Sequence, residues 1–171
     1  MIQVDEWAGT FLINESYRPI AEQLCRKFGQ ISHIATEEIL FVDNVTDKKK
    51  SKGKLVFAQI STIPPKFQEI IEQTTARHYA YVMEIFKQNT EHMTKTQIIA
   101  LIYHELRHIG TDGKLISHTI EDWVEMIDKM GPNWATTYGA IPDLLDVSVV
   151  NWDSIQDQIT LFPETKLQVV K

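Results

Sequence analysis

The sequence predicts an α+β fold in which a small mixed or antiparallel sheet packs on an N-terminal helix and a central helix, with a further helix towards the C-terminus. Short runs rich in β-branched and aromatic residues, bounded by turn residues, occupy much of the first half of the chain and predict strands. Segments with apolar residues at helical spacing stand before and after these runs. Together they predict a single sheet with helices packed against it.

The first helix is predicted to begin at Asn14 or Ser16, either of which can cap it, and to end at Phe28. Gly29 follows as a C-terminal glycine. Cys25 lies beside the apolar stripe of this helix, so we expect a small buried residue rather than a reactive thiol. Because it is the single cysteine of the chain, there is no intramolecular disulfide and no cysteine-based metal site.

Three strands are predicted, at residues 38–42, 55–60 and 79–86. The basic segment 47–54 connects the first two strands. We predict a solvated hairpin tip there, because the segment has no interleaved aromatic residues and the chain as a whole is acidic. A short helix or an irregular crossing is expected at residues 67–71, and the polar residues 88–93 are predicted to form a loop.

The composition is that of an ordinary globular protein, with 43% hydrophobic and 23% charged residues. The length of 171 residues suits one domain, for which we predict a core at about 15–135 and a C-terminal extension at 136–171 that packs on the core or trails from it. A formal net charge of -6 argues against a nucleic-acid binder that relies on bulk positive charge. The N-terminus has no signal-peptide pattern and no apolar run reaches the roughly 20 residues of a membrane span, so we expect a cytoplasmic protein without membrane contact.

The central helix is predicted to begin at a capping box formed by Thr94 and Gln97 and to end at Gly110. Its apolar residues cover a wide surface, so we expect it to be buried. It carries the pattern His104-Glu105-Leu106-Arg107-His108. Histidines four residues apart lie on one face of a helix and can reach a single ion.

The residue types of this pattern favour a catalytic zinc site. Zinc takes neutral imidazole nitrogens and works with three protein ligands and a water, whose pKa falls to about 7. Glu105 is rotated by one residue from His104, so it can take a proton from that water without binding the ion. The sequence therefore predicts one zinc ion per chain, held by His104 and His108, with Glu105 as the general base.

A third ligand is expected in the segment that follows. His118 is the first choice because a glycine-containing turn lets the chain fold back towards the helix, and Glu121 and Asp122 are the alternatives in that order. A carboxylate that does not bind the ion is expected to accept the free ring N–H of a ligand histidine and to orient it. Thr119 and Asp122 form a second capping pattern, which predicts a further helix that ends at Gly131.

The two histidine motifs, with the upstream layout of helix, strand, hairpin and strand, resemble the putative phage metallopeptidase family of minimal zincins. The resemblance lies in His104-Glu105-Leu106-Arg107-His108 and in His118 with Glu121, Asp122 and Trp123, and it covers about residues 15–135. It implies a zincin-like fold, a zinc ion and an origin in a bacteriophage or prophage, and hence a place of action in the bacterial host cytoplasm. It implies no substrate.

The leading hypothesis is a zinc metallopeptidase that hydrolyses a peptide bond in an unidentified peptide or protein. The predicted strand 79–86 is expected to form the sheet edge above the cleft, where an extended substrate can pair with it. Tyr138 and Arg107 are candidate contacts for an oxyanion or a substrate carboxylate. A second hypothesis is a non-catalytic, zinc-stabilised phage protein that binds or inhibits a host factor, which a fourth protein ligand would favour. A third hypothesis is the hydrolysis of a non-peptide amide by the same site.

Overall fold

The computed structural model describes residues 9–118, 122–145, 148, 150 and 152. The strands are β1 (Phe11–Ile13), β2 (Ile39–Asn44), β3 (Lys50–Ser51), β4 (Lys54–Leu55), β5 (Ala58–Thr62) and β6 (Tyr81–Phe86). The α-helices are α1 (Arg18–Lys27), α2 (Pro65–Thr75), α3 (Lys87–Thr90), α4 (Lys95–Leu106) and α5 (Val124–Met130). None of the helices that the structure describes is long and apolar enough to cross a membrane. The predicted α+β class is confirmed.

The four-stranded sheet is mixed, with its strands in the order β1-β2-β6-β5. Strands β2 and β6 run parallel, with Ile39 opposite Tyr81, whereas β1 and β5 pair antiparallel with their neighbours. The basic hairpin predicted between the first two strands is confirmed as the separate β3–β4 pair. Its turn residues Lys52 and Gly53 both adopt positive φ, as a tight two-residue hairpin turn requires.

The place of the third predicted strand within the sheet was predicted wrongly. Strand β6 lies between β2 and β5 and is paired on both sides, so it is not a sheet edge. The strand at the edge on that side is β5. Alternation of apolar and polar residues indicates which face of a strand is buried, but it does not indicate which strands pair with it. The chain order therefore did not reveal that β6 enters between two earlier strands.

Helices α1 and α4 pack against each other and join the inward-facing strand residues in one hydrophobic core. Phe41 of β2 and Met83 of β6 are fully buried in it. Helix α4 contributes the largest share, with its fully buried residues Ile99, Ala100, Ile102 and Leu106. The expected burial of the central helix is thus confirmed, and its last turn lies inside the protein rather than on its surface.

Several element boundaries differ from those predicted. The central helix ends at Leu106 rather than at Gly110, and Lys87–Thr90 forms α3 within the segment predicted as a loop. Helix α2 is longer than the short helix expected and starts at Pro65, whose missing N–H costs nothing in the first turn of a helix. The predicted strand 55–60 is divided between β4 and β5. Such ends depend on local hydrogen bonds, which apolar periodicity does not report.

The N-terminal helical segment begins where it was predicted. The Asn14 side-chain oxygen accepts a hydrogen bond from Ser16 N at 3.1 Å, and a 3-10 turn leads into α1. Gly29 does not end the helix in a left-handed conformation, since the positive-φ glycines of the described chain are elsewhere. Cys25 is buried as expected, and burial raises the pKa of its thiol to about 11.

A buried polar cluster joins the start of α1 to the end of β2. Asp43 accepts hydrogen bonds from Asn14 Nδ2 at 2.8 Å and from the Tyr17 hydroxyl at 2.9 Å. Lys87 Nζ donates to the Tyr17 oxygen at 3.0 Å and lies 3.9 Å from the Asp43 carboxylate. Burial raises the pKa values of Asp43 and Tyr17 and lowers the pKa of Lys87. Each group is therefore harder to ionise in the fold than in water, and depends on its partners.

We expect Tyr17→Phe to lower the free energy of unfolding by about 1–3 kcal/mol, because it removes a hydrogen bond from two buried groups and keeps the ring. Urea unfolding followed by circular dichroism measures the change. Tyr138→Phe is the matched control, since the Tyr138 side chain is fully exposed, and should leave the free energy unchanged. Equal stability of Tyr17→Phe and the wild-type protein would contradict a stabilising role for the cluster.

The described residues of the C-terminal extension lie against the core. Ile141, Leu144 and Trp152 are buried. The Leu144 carbonyl accepts a hydrogen bond from Lys27 Nζ at 2.7 Å, which ties the extension to the end of α1. Helix α5 stops at Gly131, which has a φ of 83°, as the sequence predicted. Its start was predicted wrongly: the helix begins at Val124 with Trp123 as its N-cap, beyond the capping pattern of Thr119 and Asp122. Thr119 itself lies outside the described residues.

Candidate metal centre

Helix α4 carries the first part of the site into the core. Its capping box is confirmed, because the Thr94 hydroxyl accepts from Gln97 N and the Gln97 side chain accepts from Thr94 N. Gln97 Nε2 also donates to the Trp134 carbonyl at 2.8 Å, which ties the start of the helix to the loop after α5. At the other end of α4, the side chains of His104 and Glu105 are 13% and 7% exposed.

His108 lies just beyond the end of α4 rather than within the helix. Its N–H donates to the Glu105 carbonyl at 3.1 Å, which is a three-residue step in place of the four-residue step of an α-helix. The tighter turn still keeps the two imidazoles together, and the ring centroids of His104 and His108 are 5.2 Å apart. The two rings therefore stay close to each other although the helix ends before His108.

The chain then folds back along the end of α4. Ile109 forms an antiparallel bridge with Leu115, and the Ile116 N–H donates to the His108 carbonyl at 2.8 Å. Two residues later, His118 reaches the other two histidines. The fold-back that the sequence led us to expect between His108 and His118 is therefore present as a short hydrogen-bonded hairpin.

Glycines permit this fold-back. A Cβ at Gly110 would lie 3.0 Å from the Lys114 carbonyl and 3.0 Å from Asp112 Oδ1, which is tighter than most Cβ contacts in proteins. Gly113 has a φ of 76°, which L side chains rarely adopt. The Gly113 carbonyl also accepts a hydrogen bond from the Tyr81 hydroxyl at 2.5 Å, which anchors the turn to the start of β6.

His104, His108 and His118 form a compact group. One nitrogen from each ring lies within 4.8 Å of the other two, an arrangement able to hold a metal ion. The ring centroid of His118 is 5.1 Å from that of His104 and 4.8 Å from that of His108. Residues from the helix end and from the returning strand thus converge on one point.

Hydrogen bonds to the Nδ1 atoms fix the orientation of two of the rings. His104 Nδ1 lies 2.8 Å from Asp122 Oδ1, and His108 Nδ1 lies 2.7 Å from the Ile116 carbonyl oxygen. Both partners are acceptors, so each Nδ1 carries the proton and each Nε2 keeps its lone pair. Burial lowers the pKa of His108, with His104 and His118 adding to the effect, which favours the neutral ring that binds metals.

The spacing of the nitrogens suits a tetrahedral ion. His118 Nε2 lies 3.4 Å from His104 Nε2. Two nitrogens that each lie about 2.0–2.1 Å from a tetrahedral zinc are about 3.3–3.4 Å apart. Three grouped imidazoles, two of them of fixed tautomer and one pair with this spacing, are a donor set that fits zinc.

Asp122 orients His104 by a hydrogen bond and is itself fixed by hydrogen bonds from two tryptophans. Its Oδ1 faces His104 Nδ1 and accepts from Trp123 N at 2.7 Å, while its Oδ2 accepts from Trp134 Nε1 at 2.6 Å. Burial raises the pKa of the Asp122 carboxyl, but the hydrogen bonds from His104, Trp134 and Trp123 outweigh this, and the pKa is lowered. The ionised carboxylate is therefore the stable form, and it fixes the tautomer of His104.

Glu105 is buried beside the histidines but is not one of the three grouped residues. Its Oε2 accepts a hydrogen bond from the Ile60 N–H of β5 at 3.0 Å, and its Oε1 lies 4.0 Å from His104 Nε2. Burial raises the pKa of this carboxyl, against the opposing influence of His104 and of the Ile60 N–H. A carboxylate with a raised pKa is a stronger base than one in water.

Two tryptophans to which the sequence assigned no role in the site support it, although Trp123 belongs to the motif that carries the family resemblance. Trp123 Nε1 donates to the His104 carbonyl at 3.1 Å, and its ring centroid is 5.2 Å from that of His108 and 5.3 Å from that of His118. Trp134 holds Asp122. Trp123 directly follows Asp122, which is a usable signal, but nothing in the sequence links Trp134 to the histidines.

The remaining predicted site residues lie elsewhere. Tyr138 is fully exposed, and its neighbour Thr137 contacts Gln97 at the opposite end of α4 from His104, so the structure does not bring Tyr138 to the histidines. The Arg107 guanidinium lies 4.8 Å from the centroid of the Trp123 ring and 3.4 Å from the Glu125 carboxylate, which is a packing role. Glu121, the alternative ligand, lies outside the described residues.

Fold and site together define an α+β protein with a candidate three-histidine metal centre. The sequence profile of the putative phage metallopeptidase family matches residues 10–142, which include all three histidines, and the chain belongs to this family. The family resemblance seen in the sequence is thereby confirmed. No curated protein and no solved structure matches the chain.

Proposed function

We propose that this protein is a zinc-dependent peptidase with a zincin-like arrangement of helix, edge strand and metal centre. The observation that carries the proposal is the grouping of His104, His108 and His118 with their nitrogens within 4.8 Å, beside the buried carboxylate of Glu105. Three protein ligands leave a coordination position for water, which is the pattern of catalytic rather than structural zinc sites. Family membership supports the same chemistry.

The three histidines would hold the ion through their Nε2 atoms. Zinc bound there supplies a Lewis acid that polarises a carbonyl and makes water acidic enough to lose a proton near neutral pH. Asp122 keeps the Nδ1 proton of His104 directed away from the ion, and the Ile116 carbonyl does the same for His108. The protein thus provides oriented, neutral ligands.

Glu105 is placed to move the proton. Its Oε1 faces the histidine cluster, and its Oε2 is held by the Ile60 N–H, so the carboxylate cannot rotate freely. With its pKa raised by burial, it takes a proton from the attacking water and later gives it to the leaving amine. This is the general-base role predicted for Glu105 from the sequence.

Strand β5 is the place where an extended substrate would lie. In antiparallel pairing, alternate residues turn their backbone groups towards the partner strand. The Ile60 N–H points to Glu105 and not to β6, so Ala58, Ile60 and Thr62 direct their backbone groups to the open side of β5. Because the Ile60 N–H is donated to Glu105, a peptide would pair with the other outward-facing backbone groups of this edge and would pass directly beside Glu105. This edge takes the role that the sequence had assigned to residues 79–86.

The non-catalytic alternative receives less support. A structural zinc is normally closed by a fourth protein ligand. Asp122 was a candidate for that position, but both of its oxygens are engaged by His104, Trp123 and Trp134. The buried Glu105 also has no purpose in a purely structural zinc site. Hydrolysis of a non-peptide amide would use the same residues. Cleavage of a peptide library, described next, distinguishes it from peptide hydrolysis.

Metal removal tests the proposal. We expect the purified protein to bind one zinc per chain, measured by plasma mass spectrometry, and to cleave members of a quenched-fluorescence peptide library. Treatment with 1,10-phenanthroline should abolish cleavage, because the carbonyl and the water lose their Lewis acid, and added zinc should restore it. A zinc-loaded protein that cleaves no peptide would contradict peptidase activity, and the absence of zinc binding would contradict the site itself.

A further inference from the structure

The basic hairpin (residues 47–54) concentrates positive charge on an acidic protein. It holds five lysines and one aspartate, a formal charge of +4, so that the rest of the chain carries -10 of the total of -6. Its aspartate, Asp47, accepts a hydrogen bond from Asn44 Nδ2 at 2.8 Å. The exposed lysines are Lys48, Lys50, Lys52 and Lys54.

These charges are not neutralised within the part of the protein that the structure describes. Of the ion pairs between described residues, none includes Lys48, Lys50 or Lys52. Lys50 and Lys54 lie on opposite faces of the hairpin, because Lys54 is opposite Ser51, the neighbour of Lys50. Charges in salt solution act over about 8–10 Å, and two paired strands lie only about 5 Å apart. Lysines on both faces therefore attract the same partner.

Two amide side chains of α3 fix the base of the basic hairpin. Asn89 Nδ2 donates to the Lys49 carbonyl at 3.0 Å and to the Val56 carbonyl at 2.7 Å, one on each side of the hairpin. Gln88 Nε2 donates to the Thr46 carbonyl at 2.9 Å, just before the hairpin begins. A charged surface that is already held in position loses less conformational entropy when a partner binds.

The basic hairpin is joined to the sheet edge beside Glu105. Lys49 Nζ donates to the Gln59 side-chain oxygen. Gln59 directly precedes Ile60, whose N–H is bonded to Glu105 at 3.0 Å. Lys54 lies six residues before Ile60 in the chain, so their Cα atoms are no more than about 22 Å apart. A peptide extended along β5 from Glu105 towards the start of the strand reaches the hairpin within about seven residues.

We propose that the basic hairpin is a second contact site for the substrate, and that the substrates are peptides or proteins with a run of acidic residues within about seven residues of the scissile bond. The acidic run lies on the side of the bond that faces the start of β5. The proposal rests on the proposed peptidase function and adds its substrate class. Because the contact is remote from the reacting bond, it strengthens binding of the substrate without changing the chemical step.

The charge distribution favours an acidic peptide over a nucleic acid as the partner. Double-stranded DNA carries one negative charge for about every 1.7 Å of its axis, so it continues past a short hairpin onto a chain that is otherwise net acidic. The basic hairpin also contains no aromatic residue on which bases could stack. A short run of glutamates or aspartates meets the lysines alone.

Fluorescence anisotropy tests the contact without turnover, on the Glu105→Gln protein, which is expected not to cleave the probes. The probes are labelled peptides that share one neutral sequence and end in four glutamates, four glutamines or four lysines. In about 50 mM salt, the glutamate peptide should bind at least about fivefold more tightly than the glutamine peptide and the lysine peptide most weakly, because several exposed ion pairs contribute together. In about 0.5 M salt, screening should reduce the preference to less than about twofold.

The double variant Lys50→Glu with Lys52→Glu brings the formal charge of the basic hairpin to zero and should abolish the preference for the glutamate peptide. The matched control is Lys66→Glu with Lys129→Glu, which changes the charge of the protein equally at exposed positions on α2 and α5 and should keep the preference. Equal binding of the glutamate and glutamine peptides, or an equal loss in both double variants, would overturn the proposal. Tighter binding of a labelled thymidine oligonucleotide than of the glutamate peptide would also overturn it, in favour of a nucleic-acid partner.

Kinetics of the active protein test the link to the substrate. Four glutamates added to one end of the fastest-cleaved library peptide should lower KM by about fivefold and leave kcat unchanged, whereas the same addition at the other end should have no effect. An unchanged KM for additions at both ends would overturn the proposed substrate class. The expected binding preference in a protein that cleaves no peptide would contradict the peptidase proposal and support the basic hairpin as a contact site for acidic peptides.

Discussion

Glu105→Gln is expected to lower the rate of peptide hydrolysis by about 10²–10⁴-fold, because the site loses the group that accepts and returns the proton. Zinc content should stay near one per chain, since Glu105 is not among the three grouped histidines. This substitution preserves the local structure, because the glutamine oxygen can still accept the hydrogen bond that the Ile60 N–H donates to Glu105. Initial rates on the best library peptide, with metal analysis of the same sample, measure both quantities.

The control for this prediction is Glu69→Gln, the same substitution at an exposed position on α2. It should retain the wild-type rate and zinc content. Hydrolysis that persists in Glu105→Gln would remove Glu105 from the mechanism. Loss of zinc together with loss of activity would instead make the carboxylate a ligand and would change the assignment of the site.

His118→Ala is expected to cause the largest loss of zinc affinity of any substitution outside α4 and the turn that follows it. A site reduced to His104 and His108 binds zinc weakly, because catalytic zinc normally has three protein ligands. The loss should exceed the roughly 10–100-fold expected for Asp122→Asn, which removes only the partner that orients His104. Competition with a chromophoric chelator at constant pH measures both dissociation constants.

His92→Ala is the matched control, because the His92 side chain is 89% exposed and lies 3.1 Å from the carboxylate of its neighbour Glu91. It should bind zinc as the wild-type protein does. If His118→Ala keeps wild-type affinity, the third ligand is another residue, and Glu121 then becomes the first candidate. If Asp122→Asn costs more than His118→Ala, the roles of the two residues are exchanged.

The position of the candidate metal centre also explains why helix α4 is so apolar. Ile99, Ile102 and Leu106 are fully buried and pack α4 into the core, where it contacts β5. The hydrogen bond from the Ile60 N–H to Glu105 depends on this packing. A site built on a rigid helix and a strand edge keeps its donors within the narrow tolerances that catalysis requires.

Much of the candidate site was accessible from local patterns. The capping box at Thr94 and Gln97 located the start of α4, and the helical repeat then placed His104 and Glu105 at its end. His118 was selected because a turn with glycine can reverse the chain, and the structure places its ring 4.8 Å from that of His108. These features depend on residues close in sequence, where backbone geometry limits the choices.

Other features were beyond the reach of local patterns. The sequence did not show that β6 lies inside the sheet and β5 at its edge, nor that Asp122 is held by Trp134. It also placed Tyr138 as a candidate contact, whereas the loop after α5 leaves this residue exposed at the far end of α4. Each of these depends on contacts between segments distant in the chain.

The sequence by itself determined the α+β class, the start of the central helix and the set of histidines and carboxylates from which a metal site is drawn. Those properties follow from apolar periodicity, capping chemistry and the fixed spacing of residues on a helix. The tertiary structure decided the strand order and the partners of the Nδ1 atoms of His104 and His108. The physical reason is that these are set by packing between distant segments, whose free energy no short stretch of sequence contains.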